Sequence, residues 1–150
     1  MSFETLKLAD VRLEKPEAIP AGNYVFKLQP GAAERENPFT HVTELNVRFD
    51  VVEGEFAGRP SFFAYPDPES LNKKGKPNTW SAQALKKLEV ALGVDAFEGE
   101  GTTEYLNRVA LNGDARITGS ILPGNTYKDK NGLDKVGEPK FGPFSVGPAA

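Results

Sequence analysis

Thr43-Glu44-Leu45-Asn46-Val47-Arg48-Phe49-Asp50-Val51 decides the fold class, because Leu45, Val47, Phe49 and Val51 alternate with Glu44, Asn46, Arg48 and Asp50. A period of two, apolar on one face and polar on the other, belongs to a half-buried antiparallel strand. Downstream, Glu53-Gly54-Glu55 with Gly58 supplies a turn. Arg59 to Tyr65 then reads as a strand rich in aromatics (Phe62, Phe63, Tyr65), closed by Pro66 and Pro68. Upstream, Ile19-Pro20-Ala21-Gly22-Asn23 reads as a turn feeding a strand in which Tyr24, Phe26 and Leu28 alternate with Val25, Lys27 and Gln29. Gln29-Pro30-Gly31 ends that strand, and Arg35 to Thr40 reads as loop.

Beyond the strands, residues 69–79 form a polar, Lys-rich linker. Thr79 or Ser81 is expected to cap a helix running to about Leu92, with Gly93 as its stop. Leu85, Leu88, Ala91 and Leu92 make its apolar stripe. Residues 95–104 are acidic and Gly-rich. Thr103 to Asn107 reads as a turn of helix, and Arg108 to Leu122 as a strand broken at Asn112-Gly113. Thr126 to Gly142 is a long hairpin or arm with Asn131-Gly132 near its tip, and Phe141 to Val146 a last strand. The expected organisation is a polar leader at 1–18, one domain at 19–146 and a tail at 147–150. Mostly β, with five strands and one helix between the third and fourth, is the order of a five-stranded OB-like Greek-key barrel. A small sandwich leaves the same pattern.

The 150 residues, 15 of them Gly and 12 Pro, suit one domain of short strands joined by turns. With no Cys, disulfides, thiolate metal sites and a Cys nucleophile are excluded. The opening MSFETLKLADVRLEK lacks the apolar run of a signal peptide, and no stretch approaches the roughly 18 apolar residues of a membrane span. The expected location is the cytosol. Catalytic chemistry finds little purchase. His41 is the single histidine, no Gly-x-Ser-x-Gly elbow or phosphate loop is present, and the Glu53/Glu55 and Asp67/Glu69 pairs read as turn residues. The expectation is a protein that is not an enzyme, with no cofactor and no metal; only a site made of carboxylates alone stays open.

Charge is the informative feature. The chain is net −3, yet Lys73, Lys74, Lys76, Lys86 and Lys87 fall between Ser70 and Leu88 with the single Trp80 and no acid. Phosphates want Lys and bases want an aromatic face, so single-stranded nucleic acid is the first ligand to consider. A solvated loop and helix face, with Trp80 as core anchor, is the competing reading. Arg48 and Arg59 add charge on the strands. Of the third strand's rings, Phe63 and Tyr65 share one face and Phe62 takes the other, so one side faces the core and the other is left as aromatic surface. Tyr127, Lys128 and Lys130 repeat the pairing of ring and charge on the late hairpin.

Four segments in order, IPAGNYVFKL (19–28), TELNVRFDVVEGEFAGRPSFFAY (43–65), ALKKLEVALGV (84–94) and LNGDARITGSI (111–121), resemble a group of small proteins. These are phage-encoded, of the single-stranded-DNA-binding type with an OB-like barrel, and were long described as a domain of unknown function. The resemblance covers about residues 19–146. It implies sequence-tolerant binding of single-stranded DNA in phage replication or recombination, in the host cytosol. Arg48, Arg59 and Tyr65 then fall on barrel strands, and Lys73, Lys74 and Lys76 in the loop before the helix. Such proteins often end in an acidic tail that recruits replication or recombination proteins, whereas this chain ends Val146-Gly147-Pro148-Ala149-Ala150. Their loop after the first strand tends to be basic; here Glu34-Arg35-Glu36-Asn37 is net negative.

DNA and RNA stay undistinguished. An exposed edge strand offers a route to a homo-oligomer. The alternative function is a protein-binding accessory or inhibitor module, using the same barrel or the acidic patch Asp95, Glu98, Glu100 and Glu104. A small virion structural protein also fits the Gly and Pro content.

Overall fold

The computed structural model describes residues 4–10 and 18–149. Most of the predicted leader therefore lies outside the described residues, apart from a short 3-10 turn at Leu8–Asp10. The elements that follow are β1 (Gly22–Leu28), β2 (Ala33–Glu36), β3 (Thr43–Val51), β4 (Pro60–Pro66), α1 (Thr79–Leu92) and α2 (Thr102–Asn112). The C-terminal part adds β5 (Arg116–Leu122), β6 (Thr126–Lys128), β7 (Asp134–Val136), β8 (Lys140–Phe141) and β9 (Gly147–Pro148). No helix among the described residues is long and apolar enough to cross a membrane.

The alternating stretch is β3, and its inward residues Leu45, Val47, Phe49 and Val51 are all buried. It is the hub of the sheet. One edge pairs with β4, as in Val47↔Phe63 and Leu45↔Tyr65; the other pairs with β2 through Thr43–Asn46 and with β1 through Phe49–Val51. From β1 the antiparallel order continues to β5 and on to β8, with β9 also paired to β5. The far members, β4 and β8, approach each other: the Phe63 and Phe141 ring centroids are 6.0 Å apart. Among the described residues no ladder joins them, so the sheet curls round its core and stays open along that line. The fold is mostly β and antiparallel, as expected, but it is not a closed five-stranded barrel: seven strands share the sheet and β6 and β7 form a separate ribbon.

Phe26, Leu28, Phe49 and Ile117 are fully enclosed, each such side chain worth roughly 1.5–3 kcal/mol of hydrophobic stabilisation. Phe141 stacks on Phe49 at 4.6 Å and meets Phe26 edge-on at 5.3 Å. Gly119 makes room for that trio, since a Cβ there would sit 3.2 Å from the Phe26 ring and 3.3 Å from Phe141.

Four local expectations are corrected. Arg35 and Glu36 belong to β2 rather than to loop. Arg108 to Asn112 are helical: Tyr105, Leu106, Val109 and Ala110 bury one face of α2, so the break at Asn112-Gly113 separates helix from strand. Of the predicted last strand, Phe141 to Val146, only Phe141 is in a strand, as the end of β8; a turn follows, and Gly147-Pro148 form β9 and pair with β5 rather than trailing as a tail. Finally, α1 starts at Thr79 after Asn78, while Ser81 is buried inside the helix. Gly93 does end α1, left-handed at φ 73°, its N–H bonded to the Glu89 and Val90 carbonyls.

Candidate nucleic-acid interface

The open line between β4 and β8 is a groove of about 670 Å³ lined by Arg59, Pro60, Phe62, Phe63, Lys140 and Phe141, with Glu138 as its one carboxylate among the described residues. Strand alternation splits the rings: Phe63 turns inward against Phe141, while Phe62 stands outside, 66% exposed. On that outer face Arg48 lies directly across from Phe62, its guanidinium carbon 5.9 Å from the ring centroid. Arg48 is not a bare charge, because Nε donates to Asp50 Oδ1 at 2.8 Å and this pairing raises its pKa.

Trp80 joins the groove to the lysines. Its ring meets Phe63 at 6.4 Å and Phe144 at 6.2 Å, and its Nε1–H donates to Asn78 Oδ1 at 3.3 Å. It remains 37% exposed, so it is both an anchor and a surface ring. Immediately before it, residues 70–78 form a compact loop pinned by the Leu71↔Pro77 bridge. Asn72 Oδ1 accepts from the backbone N–H of Lys74 (2.8 Å) and Lys76 (3.2 Å), and Asn78 Nδ2 ties the loop base to Ser70 Oγ at 2.9 Å. The Lys73, Lys74 and Lys76 side chains point to solvent and form no ion pair among the described residues.

Lys86 and Lys87 are engaged elsewhere. Lys86 pairs with Glu89 one helical turn on, and Lys87 donates to the Phe144 carbonyl. The Glu89 carboxyl, held first by Lys86 and then by the Ala96 N–H, titrates below its usual range. Tyr65, a predicted stacking ring, is 1% exposed and part of the core; burial pushes its phenol well above the usual range, and its hydroxyl has no hydrogen-bond partner among the described residues. A base cannot stack on it. Tyr127, Lys128 and Lys130 sit on the β6–β7 ribbon, which pairs with no strand of the main sheet; Lys128 lies 3.9 Å from Asp134. The ribbon has the expected Asn131-Gly132 tip, where Asp129 Oδ1 accepts from the N–H of Asn131 (2.8 Å) and Leu133 (3.0 Å).

The acidic stretch is partly spent on structure. Glu100 receives two hydrogen bonds from Arg108, both 2.8 Å, and one from the Phe97 N–H, which together hold its carboxyl down at about 2. The Arg108 guanidinium also covers the Phe97 ring at 3.8 Å. His41 is exposed at φ 58° with its Nδ1 3.7 Å from Glu36, and no trio of metal-ligating side chains occurs among the described residues. A second groove, about 370 Å³ between β4 and α2, is lined by Glu34 and Asp67, the wrong sign for phosphate.

Lys140, Phe141 and Phe144 were missed as site residues. The available signal was local, since KFGPF sets a cation beside two rings as Tyr127-Lys128 does. Comparison of the chain with protein-family models, with curated proteins and with solved structures found no match.

Proposed function

We propose that this protein binds single-stranded nucleic acid without sequence preference, along a path from the lysine loop over Trp80 into the groove between β4 and β8. The curled, open sheet with its helices between β4 and β5 is read as an open variant of the OB-like barrel. Phage replication or recombination on single-stranded DNA is the setting that the sequence resemblance suggests. One observation carries the reading: Trp80 sits beside the lysine loop and at 6.4 Å from Phe63, so an exposed cationic loop, a half-open ring and a groove containing Arg59 and Lys140 are contiguous. Backbone phosphates would lie against the lysines, and bases on rings worth roughly 1–3 kcal/mol each.

The test is fluorescence anisotropy of a labelled oligo-dT of about 30 nucleotides, at low and high salt, with a duplex of equal length as control. Binding to the single strand that weakens steeply with salt, and is weak for the duplex, supports the reading. No binding at low salt refutes it and turns attention to a protein partner.

A further inference from the structure

We propose that the seam between β4 and β8 holds one unpaired nucleobase by its hydrogen-bonding edge, on the main chain of Phe62; this rests on the single-strand reading above. The argument begins with the phase of the ladder. Val51 N–H donates to the Arg59 carbonyl at 2.9 Å, and Asp67 N–H to the Thr43 carbonyl at 2.9 Å. Both pairs continue the register that sets Tyr65 opposite Leu45 and Ser61 opposite Phe49. Hydrogen-bonded pairs alternate along an antiparallel ladder. Residues 59, 61, 63, 65 and 67 therefore bond to β3, and residues 60, 62, 64 and 66 turn their main-chain groups to the seam. The opposite edge of β3 agrees: Gln29 N–H donates to the Arg48 carbonyl at 3.0 Å, so even-numbered Arg48 faces β1.

Two of the four seam-facing residues, Pro60 and Pro66, have no N–H. The seam edge thus offers N–H groups from Phe62 and Ala64 alone, bracketed by prolines. A second β-strand would find too few donors, which is how sheet edges are protected against pairing with another chain. A small planar group fits better. A strand residue presents its N–H and C=O side by side on one edge, a donor next to an acceptor. Every base carries the complement on its Watson–Crick edge: adenine N1 and N6, cytosine N3 and N4, thymine O4 and N3, guanine O6 and N1. The Phe62 peptide edge accepts any of them, and none of them from a duplex, where those atoms are already paired.

The surroundings suit that occupant. The groove is lined by residues 59–64 of β4 and its approach, so Phe62 lies near its middle, and its 670 Å³ falls in the range of small-ligand sites, roughly 300–1,000 Å³. A base in the plane of the sheet has Phe62 on its outer side and Phe63 with Phe141 on its inner side. Lys140 stands at the rim of the same groove, a cation for the phosphate that such a ligand carries.

The test compares oligo-dT with an oligomer of equal length built from N3-methylthymidine, by anisotropy competition at one low salt concentration. The methyl group removes the base's donor and leaves charge and ring in place. Binding of the methylated oligomer weaker by about tenfold or more, the size of a lost two-point contact, is the expected result. Equal affinity for the two overturns the edge-reading proposal and leaves single-strand binding standing. Failure of oligo-dT itself to bind overturns both.

Discussion

Replacing Lys73, Lys74 and Lys76 together by Gln removes three charges from a loop whose fold does not use them. The loop is held by Asn72 Oδ1 and by the Asn78–Ser70 bonds, with all three ammonium groups in solvent. Each phosphate neutralised on a single strand contributes about 0.7 to the slope of log affinity against log salt. At 0.1 M salt that is about fivefold in affinity per lysine, hence about 100-fold for the triple variant. With Lys140 counted as a fourth contact, the slope should fall from about −3 to about −1. The unmodified protein would then lose about 50-fold between 50 and 200 mM salt, and the variant about 2- to 3-fold. Anisotropy titrations across that range read both numbers, and circular dichroism checks that the fold is kept. A variant with near-normal affinity and an unchanged slope would refute the placing of phosphates on this loop.

Tyr65→Phe removes a buried hydroxyl that has no partner among the described residues, so the melting temperature should hold or rise, by about 1 kcal/mol of stability, with oligonucleotide affinity unchanged. Gly124→Ala should disrupt the base of the ribbon, because the new Cβ would lie 1.7 Å from the Gly137 carbonyl oxygen; limited proteolysis across residues 124–137 should then cut faster than in the parent. Glu100 has a folded pKa lowered to about 2 by Arg108 and the Phe97 N–H, so its contribution to stability is present above the ordinary carboxylate pKa and is lost as pH falls toward 2. Arg108→Met should flatten that acid limb of a melting-temperature profile between about pH 5 and 2.

How far the fold was legible follows from what each element asks of its residues. β1, β3 and β4 could be read because burial on one face forces alternation, and α1 because its stripe ends at a left-handed Gly93. β2 could not: Ala33-Glu34-Arg35-Glu36 buries almost nothing and is a strand only through its backbone pairing with β3. Arg108-Val109-Ala110-Leu111 reads as a strand locally, and becomes helix because Val109 and Ala110 complete a face begun by Tyr105 and Leu106. β8 and β9 are too short to carry a pattern. At the site, the lysine loop was visible as charge, and the Lys86–Glu89 pairing is a three-residue helical spacing that sequence allows. The Lys87 contact with Phe144, the burial of Tyr65 and the β4–β8 seam join residues far apart in the chain, where no local period reports on them.

The most direct test of the central claim uses Trp80, the chain's single tryptophan, whose emission reports on the site without a label. Its fluorescence is followed as unlabelled oligo-dT is added at low salt, with acrylamide quenching measured before and after. The account predicts saturable quenching and a Trp80 shielded from acrylamide once the strand is bound, both reversed by high salt. Emission and acrylamide access that stay unchanged while the oligonucleotide demonstrably binds would contradict it and move the interface elsewhere on the protein.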